Sequence, residues 1–490
     1  MSLLLSAWLQ GRADVPASLD APLRAVTSDS REVNAGDVFI ALPGATTHGL
    51  AHLDAVRAAG AAAVLVDAAD SAASAAAASG DALAVRDLRR DLGALADLAA
   101  GSPSSALRVV GVTGTNGKTS IVQLLADALE RLGLAAGTIG TLGAGRVGRV
   151  QAGERTTPDV LSLHALLGAL RDDGARAVAM EVSSHALAQG RVDGVRFEVA
   201  VFTNLTRDHL DYHRTMDAYG DAKARLFGWP TLSACVVNID DAFGRTLAET
   251  LRGKALWSVS ARGASDARIS AENVQLGSEG VAFVLAEGAQ RANVASRLLG
   301  RFNVDNLLAV AAAMRALGFA FDDVAKVLGQ LPPVHGRMTA LGGGAQPLVV
   351  VDYAHTPDAL EQALASLRGH ARGALACVFG CGGERDRGKR PQMAAVAERL
   401  ADRVLVTDDN PRSEDGDAIV ADIVAGFREP SLHRVVRDRG AAIRLAVAQA
   451  RTGDVVLVAG KGHEPWQEIA GVKLPFDDVA QARAALEQAA

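Results

Sequence analysis

The sequence predicts an α/β protein of three domains, and three observations support this prediction. Short apolar runs alternate with helical patterns through the two larger pieces of the chain, which is typical of parallel sheets built from βαβ units. The length of 490 residues suits about three domains. Two segments of linker composition, residues 101–105 (GSPSS) and 331–336 (LPPVHG), divide the chain into residues 1–103, 104–334 and 335–490.

Composition and charge exclude several classes of protein. The formal net charge of −6 provides no basic excess for binding nucleic acid or an anionic membrane surface. No apolar run approaches the roughly eighteen residues of a membrane span, and the N-terminal residues lack the basic start of a signal peptide. We therefore expect a cytoplasmic protein that neither binds nucleic acid nor inserts into a membrane. The sequence indicates no obligate protein partner.

The cysteines predict neither a disulfide framework nor a zinc site. There are three of them, Cys235, Cys377 and Cys381, and no combination with histidine has the spacing of zinc ligands. We expect Cys377 and Cys381 to be small buried residues near the end of a strand.

The apolar runs place the strands in order. In the central piece we expect strands at residues 109–112, 177–182, 199–202 and 234–239; in the last piece we expect them at residues 348–351, 375–379, 404–406 and 455–458. The alanine-rich residues 68–79 predict a surface helix. Polar clusters follow most of the strands directly, and ligands of open α/β sheets bind beyond the carboxyl ends of strands. The sequence thus predicts an active site between two domains.

Residues 109–120 (VVGVTGTNGKTS) carry the strongest functional signal. They read as an apolar strand, a glycine-rich turn and the first turn of a helix that runs to about Gly133. In such a loop the backbone N–H groups surround a phosphate, Lys118 reaches the terminal phosphates, and the Thr119 hydroxyl can ligate Mg²⁺. The loop departs from the strict pattern because Val112 stands where a glycine is usual, and a turn that binds nothing is the alternative. The pattern favours binding of a nucleoside triphosphate.

Two further clusters indicate a cation near these phosphates. Glu181 ends an apolar strand and precedes Ser-Ser-His, so its carboxylate can hold a hard cation, although it could instead cap the following helix. Residues 203–213 (TNLTRDHLDYH) follow the next strand, and His209 among them could ligate a metal. A solvated loop is the alternative for that segment.

Six motifs, taken together, resemble those of the Mur ligases. They occur in the order found in that family: GTNGKT (114–119), EVSSH (181–185), TNLTRDHLDYH (203–213), FNVDN (302–306), GRM (336–338) and DYAHTPD (352–358). The resemblance extends to DSR at residues 29–31 and covers essentially the whole chain. It implies a smaller N-terminal α/β domain for a UDP moiety, a central P-loop-type parallel-sheet domain for ATP, and a C-terminal Rossmann-like domain for an incoming amino acid.

The resemblance also implies a reaction, that of an ATP- and Mg²⁺-dependent acid–amino-acid ligase of peptidoglycan synthesis. Among these enzymes the chain resembles those that extend UDP-N-acetylmuramoyl-L-alanyl-D-glutamate (the UDP-MurNAc-dipeptide) by one amino acid. The acceptor carboxylate would become an acyl phosphate, which the amine of the amino acid then attacks. Both steps develop charge on oxygen atoms, so cations and N–H donors should carry the catalysis.

The family motifs imply roles for individual residues. Lys118, Lys223, His209 and Arg337 match catalytic positions, and Lys223 matches a lysine that CO₂ carbamylates. From the helical pattern alone Lys223 would instead be a solvated helix residue. The positions matching ATP-binding residues are Gly114, Thr115, Asn116, Gly117, Lys118, Thr119, Asn303, Asn306, Arg337, Asp352 and His355. Those matching Mg²⁺ ligands are Thr119, Glu181, His209 and Lys223, and those matching UDP-substrate residues are Ser28, Ser30, Thr156, Thr157, Ser183, Gln189 and Arg191.

Residues 408–412 (DDNPR) indicate which amino acid is added. The planar guanidinium group of Arg412 can donate two parallel hydrogen bonds to a carboxylate, and meso-diaminopimelate carries a carboxylate that lysine lacks. The DNPR form resembles that of diaminopimelate-adding enzymes. Glu464 could receive the distal ammonium group, whereas a surface ion pair is the alternative for Arg412. The full set of positions that the resemblance assigns to diaminopimelate is Arg385, Asp409, Asn410, Pro411, Arg412, Gly460 and Glu464.

Other functions remain open at this stage. The same ligation with L-lysine is the nearest alternative, and a folylpolyglutamate synthetase on the same scaffold is another, although the N-terminal domain and DNPR argue against it. A P-loop switch ATPase would not need a second polar-edged sheet. A dinucleotide oxidoreductase is disfavoured, because the third glycine of its fingerprint would fall at Arg385.

Overall fold

The computed structural model describes residues 3–44, 47–153, 155–251, 253, 255–277 and 280–489. Its helices are α1 Leu5–Trp8, α2 Leu53–Ala58, α3 Ser74–Ala78, α4 Leu92–Ala99, α5 Lys118–Arg131, α6 Val160–Asp172, α7 Ser184–Ala188, α8 Leu210–His213, α9 Met216–Ala224, α10 Ala242–Thr250, α11 Phe302–Ala316, α12 Phe321–Leu328, α13 Pro357–Arg368, α14 Lys389–Leu400, α15 Gly416–Val424, α16 Arg439–Gln449 and α17 Asp478–Ala489. None of the helices in this part of the chain combines the length and apolar character needed to cross a membrane.

The strands follow in the same chain order. They are β1 Val26–Thr27, β2 Val38–Ile40, β3 Ala63–Asp67, β4 Leu83–Val85, β5 Arg108–Thr113, β6 Ala136–Gly140, β7 Gly143–Arg146, β8 Arg149–Gln151, β9 Ala177–Glu181, β10 Phe197–Phe202, β11 Ala234–Asn238, β12 Leu256–Ser260, β13 Ile269–Gly277, β14 Gly280–Glu287, β15 Gln290–Ser296, β16 Thr339–Gly342, β17 Leu348–Asp352, β18 Leu375–Phe379, β19 Arg403–Val406, β20 Arg434–Val435, β21 Val455–Ala459, β22 Trp466–Ile469 and β23 Val472–Pro475.

The chain forms two compact units. The first comprises the described residues of Met1–Thr113, Gly133–Ala200 and Asp217–Ser233, and the second those of Gly114–Leu132, Val201–Met216 and Ala234–Ala490. The division into domains at residues 103 and 334 stays a prediction.

The first unit contains two sheets. Strands β1 to β4 form a parallel sheet in chain order, with a core on one side that includes Trp8, Ile40 and Leu95. In the other sheet β5, β9 and β6 are parallel neighbours, and β7 and β8 extend it in antiparallel fashion. The strand β5 is buried because its residues are almost all apolar, so its carboxyl end delivers the chain to the start of the phosphate loop.

The second unit combines a parallel and an antiparallel arrangement. Strands β11, β12 and β13 are parallel, and β13, β14 and β15 then form an antiparallel meander. A further sheet has the order β16-β17-β21-β18-β19-β20, in which only β16 is antiparallel to its neighbour.

This last sheet has helices on both faces, as a Rossmann-like domain requires. Val350, Cys377 and Leu457 face one core together with residues of α13, α14 and α15, whereas Val349 and Val456 face a second core with α16 and α17. Because successive side chains of a strand point to opposite faces, a continuous apolar run is what two covered faces need. The mixed α/β fold class is confirmed.

Most predicted elements are confirmed within a residue or two. The helix after the phosphate loop ends at Arg131, and Gly133 follows it with φ +81°. All three cysteines are buried. The alanine-rich residues 68–79 hold only the short α3 and a 3₁₀ turn, and Ala73 is buried, so the predicted surface helix is shorter than expected. Antiparallel strands, which the apolar runs did not predict, accompany the parallel ones: β7 pairs with β6 and β8, β14 pairs with β13 and β15, and β16 pairs with β17.

Candidate active site

The phosphate loop has the conformation that its glycines allow. Gly114 and Gly117 have φ of +144° and +85°, and a Cβ at Gly117 would lie 2.7 Å from Asn306 Oδ1. Lys118 begins α5 and donates from Nζ to the carbonyls of Gly114 (2.9 Å) and Thr115 (2.8 Å). The ammonium group is thus held over the loop, and the first N–H groups of α5 lie at the loop, as binding of a phosphate requires.

Residues 203–206 brace this loop. Asn204 accepts from the Thr115 and Asn116 N–H groups, through its carbonyl (2.8 Å) and its Oδ1 (2.9 Å) respectively. Thr203 donates to the Asn116 carbonyl (2.6 Å), and the Thr206 N–H donates to Thr115 Oγ1 (3.0 Å). The three polar residues of this stretch therefore shape the phosphate loop, and the solvated-loop alternative was wrong for them.

Asn303 and Asn306 lie behind the loop on α11. Both are 5% exposed, Asn306 donates from Nδ2 to Asn303 Oδ1 (2.8 Å), and Asn303 donates to the Leu299 carbonyl (2.7 Å). Their predicted place near the adenine of ATP stays a prediction.

Replacing Gly117 by alanine should raise the KM for ATP about tenfold. The left-handed conformation costs a residue with a Cβ about 1–2 kcal/mol, and this Cβ would also push Asn306 away from the loop. Gly133→Ala is the matched control, since Gly133 has φ +81° with nothing within 4 Å of its Cβ position. Steady-state kinetics and thermal melting should show both variants destabilised but only Gly117→Ala impaired toward ATP. An equal KM for ATP in the two variants would contradict the proposed close packing.

Asp358, at the start of α13, connects the phosphate loop to the last sheet. Its Oδ2 accepts from Asn116 Nδ2, Thr206 Oγ1 and Gln362 Nε2, each at 3.1 Å. A carboxylate that accepts three donors orients all of them, so Asp358 fixes the side chain of the loop residue Asn116.

Asp358→Asn should raise the KM for ATP about five- to tenfold, because the charged acceptor of the Asn116 amide is lost, at a cost of roughly 1–1.4 kcal/mol. The control is Gln362→Ala, which removes one donor to the same carboxylate but leaves the loop contacts intact. Initial rates over a range of ATP concentrations would decide, and a KM for ATP equal to that of the control would rule out a role for the carboxylate at the loop.

Arg337 brings a second cation to this region. Its Nη2 lies 3.3 Å from Thr119 Oγ1, and its guanidinium carbon lies 4.7 Å from the centre of the Tyr353 ring. Its Nε is buried and has no hydrogen-bond partner in the described part of the chain, so this N–H can donate to a ligand. Asp352 accepts from the Met338 N–H (2.8 Å), and burial raises the pKa of Asp352 although Arg337 opposes the shift.

A cleft of about 910 Å³ in the second unit brings many of the predicted residues together. His209 and His355 line it, and so do the residues predicted to bind the amino acid except Pro411: Arg385, Asp409, Asn410, Arg412, Gly460 and Glu464. These groups follow four different strands of the last sheet or the strand β10, and they meet because the strands of the last sheet run parallel. The predicted polar edge of that sheet is confirmed.

At one end of the cleft two loops hold cationic and anionic groups. Arg412 has φ +56°; it donates from Nη1 to the Gly383 carbonyl (2.6 Å), and its Nε lies 3.7 Å from Glu468. The buried Arg390 joins the two loops, because it donates to the Gly382 carbonyl (3.2 Å) and pairs with Glu414 (2.8 Å). Arg412 thus lines the cleft and also forms an ion pair with Glu468, so its predicted binding of a carboxylate stays a prediction.

In the first unit Glu181 ends β9 and is 1% exposed. Its carboxylate accepts from the N–H (2.8 Å) and the hydroxyl (3.2 Å) of Thr141. The cap of the following helix is Ser183, whose hydroxyl accepts from the Ala186 N–H (3.1 Å), so the capping alternative for Glu181 was wrong.

Most residues predicted to bind the UDP substrate are linked to Glu181 by hydrogen bonds, either directly or through one another. Thr157 donates to the Glu181 carbonyl (2.8 Å) and accepts from the Ser183 N–H (3.2 Å), and Thr156 Oγ1 lies 3.1 Å from that of Thr141. Arg191 donates to the Thr157 carbonyl (3.1 Å) and to Gln189 (2.8 Å).

Ser28 and Ser30 lie on either side of Asp29 at the end of β1. The Asp29 carboxylate pairs with Arg31, which lowers the pKa of Asp29 to about 2, and Arg155 contributes to the same shift. Since Arg155 precedes Thr156, this charge interaction connects the turn with Ser28 and Ser30 to the segment of Thr156 and Thr157.

Lys223 on α9 is buried, contrary to the solvated position that the helical pattern suggests. It is 1% exposed, and its Nζ lies 4.2 Å from the centre of the Tyr219 ring one turn earlier. A helix pattern reports which side chains are polar but not which of them tertiary packing covers, and this is why the pattern gave the wrong result.

The predicted Mg²⁺ ligands remain a prediction. Within the described residues no group of three or more His, Cys, Asp or Glu side chains has the arrangement of a metal site. Thr119 contacts Arg337, His209 lies 3.4 Å from Asp208, and among the described residues the Glu181 carboxylate accepts only from Thr141. Hydroxyl and carboxylate oxygens are nevertheless the donors that Mg²⁺ prefers.

Sequence reasoning missed Arg390, described above, and two further residues that contact the site. Asp358 ends the DYAHTPD motif, and Lys461 lies between two glycines, two residues after the end of β21. The available signal was their position, because a charged residue just beyond a buried parallel strand usually faces the ligand edge of the sheet.

Three family models match successive parts of the chain. They are the Mur ligase family, catalytic domain, at residues 22–100; the Mur ligase middle domain, at residues 112–314; and the Mur ligase, glutamate ligase domain, at residues 336–462.

Known proteins match nearly the whole chain. A protein of Xanthomonas oryzae pv. oryzae named UDP-N-acetylmuramoyl-L-alanyl-D-glutamate–2,6-diaminopimelate ligase is 59% identical over 476 residues, which are 96% of this chain and 96% of the relative. The protein of that name from Pseudomonas aeruginosa is 51% identical over 470 residues, again 96% of each chain. A solved structure of an enzyme of that name is 35% identical, covers 100% of this chain and 99% of its own, and has a TM-score of 0.72. The chain belongs to the Mur ligase family.

Proposed function

We propose that this Mur ligase is an ATP-dependent acid–amino-acid ligase that adds meso-2,6-diaminopimelate to UDP-N-acetylmuramoyl-L-alanyl-D-glutamate in peptidoglycan synthesis. The observation that carries the proposal is the cleft of the second unit, in which Arg412 and Glu464 lie together with His209 and His355. Arg412 suits a carboxylate and Glu464 an ammonium group, and the far end of diaminopimelate carries both. The names of relatives at 51% and 59% identity support the same substrate.

The proposed reaction has two steps. The acceptor carboxylate attacks the γ-phosphate of ATP, so that an acyl phosphate forms and ADP leaves. The amine of diaminopimelate then attacks the acyl carbon, and phosphate leaves from a tetrahedral intermediate. Lys118, the N–H groups of the phosphate loop and Arg337 would stabilise the charge on the phosphate oxygens, because preorganised donors act most strongly where charge develops.

Thr119, Glu181, His209 and Lys223 would hold Mg²⁺, with Lys223 as its carbamate (N6-carboxylysine). The bound cation would neutralise charge on the ATP phosphates. Two observations support this assignment. The buried Glu181 carboxylate has only Thr141 as a donor among the described residues, and the sheltered position of Lys223 beside Tyr219 would shield a carbamate from water.

The remaining assignments follow the family pattern. Ser28, Ser30, Thr156, Thr157, Ser183, Gln189 and Arg191 would hold the UDP substrate, and domains at residues 1–103, 104–334 and 335–490 are supported by the three matched family ranges. We place the reaction in the cytoplasm, because ATP and UDP-linked precursors are cytoplasmic compounds.

Phosphate release tests the proposal. The enzyme is supplied with ATP, Mg²⁺ and UDP-N-acetylmuramoyl-L-alanyl-D-glutamate, and either meso-diaminopimelate or L-lysine is added as the third substrate. Release together with a new amide product should occur with diaminopimelate and hardly with lysine. If product forms with lysine alone, the protein is still a ligase, but diaminopimelate is not its substrate. Release that is independent of both amino acids would indicate a switch-type ATPase and reject the function.

A further inference from the structure

The end of the cleft that contains Glu464 is built around a buried lysine. Lys461, two residues after the end of β21, has a side chain that is fully buried. Its Nζ donates to Asn410 Oδ1 (2.9 Å) and to Glu464 Oε2 (3.0 Å), and it lies 3.9 Å from Asp409 Oδ1. A buried ammonium group is stable only when anions and acceptors surround it, and here all three partners are residues predicted to bind the amino acid.

The contacts around Lys461 form a closed triangle. Asn410 donates from Nδ2 to Glu464 Oε2 (2.8 Å), which is the same oxygen that accepts from Lys461. Asn410 Oδ1 in turn accepts from both Lys461 and the Glu468 N–H (2.9 Å). These bonds fix which end of the Asn410 amide is nitrogen, since the ammonium group and the backbone N–H can only donate.

The two carboxylate oxygens of Glu464 differ in their hydrogen bonds. Oε2 accepts hydrogen bonds from both Asn410 and Lys461, whereas no donor from the described residues reaches Oε1. Glu464 lines the cleft, so Oε1 remains for a donor that enters from the cleft. An ammonium group is such a donor.

We propose that Lys461 is a positioning residue that sets the specificity site for the incoming amino acid, by holding Glu464 and Asn410 in the geometry that receives its distal ammonium group. This inference rests on the proposed function and deepens it. Lys461 itself would not touch the substrate, because Glu464 and Asn410 cover it.

Lys461→Met tests the inference, because methionine keeps most of the length of the side chain and removes its charge. The KM for diaminopimelate should rise about ten- to hundredfold, as expected for loss of charged hydrogen bonds, while the KM values for ATP and the UDP substrate change less than twofold. Lys326→Met is the control, since Lys326 is exposed on α12 and should behave as wild type. Equal increases for all three substrates would show a merely structural role and overturn the inference.

A double-mutant cycle with Glu464→Gln identifies the residue through which Lys461 acts. If Lys461 works through Glu464, the double variant should have the same KM for diaminopimelate as Glu464→Gln alone, whereas independent roles would multiply the two effects and overturn the inference. The double variant also removes the carboxylate that Lys461→Met would leave without its cation. If Lys461→Met fails to fold, the comparison of the double variant with Glu464→Gln alone still decides.

The wild-type reaction separates this test from that of the proposed function. If the wild type forms no amide product with diaminopimelate, the function itself is rejected. If it forms the product and folded Lys461→Met has a KM for diaminopimelate within twofold of wild type, only the inference fails.

Discussion

Lys118→Met is expected to lower kcat about 10²- to 10³-fold while the protein stays folded. The Lys118 ammonium group lies over the phosphate loop, 2.9 Å and 2.8 Å from two of its carbonyls, and would move to the β- and γ-phosphates when ATP binds. Removing one preorganised donor from a site of developing charge typically costs about 10²–10³ in rate. Lys326→Met, at an exposed position on α12, is the control and should retain wild-type rates.

Single-turnover measurement of ADP formation would separate the chemical step from binding. In Lys118→Met the rate of that step should fall more than the affinity for ATP, because the charge on the phosphates is greatest in the transition state. A variant that keeps more than half of the wild-type kcat would show that Lys118 only supports the loop.

Arg412→Ala is expected to raise the KM for diaminopimelate about ten- to hundredfold, which corresponds to roughly 1.5–3 kcal/mol for a charged, bidentate hydrogen bond. Alanine keeps a Cβ at this left-handed position (φ +56°), so the backbone strain should not change. The KM values for ATP and the UDP substrate should stay nearly the same, as measured by initial rates with each substrate varied in turn.

L-Lysine provides a control for Arg412 within the same variant. It lacks the distal carboxylate, so the substitution should leave the weak use of lysine unchanged and reduce the preference for diaminopimelate. Loss of activity toward all substrates alike would instead mean that Arg412 serves the loop through its bond to the Gly383 carbonyl.

Local features of the sequence predicted the phosphate loop well. Residues 109–120 contain the strand, the glycines and the helix start, so the local pattern was sufficient to predict the order strand, loop and helix, and α5 begins at Lys118 as expected. The apolar runs of β17, β18 and β21 predicted these strands equally well, because a strand covered on both faces must be apolar throughout.

Residues whose environment comes from distant parts of the chain were less predictable. Lys223 has the pattern of a solvated helix residue but is 1% exposed, and only the family resemblance pointed to it. Lys461, Arg390 and Asp358 carried no role in the sequence prediction, although each makes three contacts or more at the site.

The sequence by itself determined the α/β class, the phosphate loop, the strand ends at which the polar clusters lie, and the family. The tertiary structure decided which of those clusters share a cleft. It also brought Asn116 to Asp358 across 242 residues of sequence, and the buried Lys461 to Glu464. The physical reason is the range of the interactions. Periodicity and turn chemistry act between near neighbours in the chain, whereas the order of strands in a sheet determines which distant side chains meet at its edge.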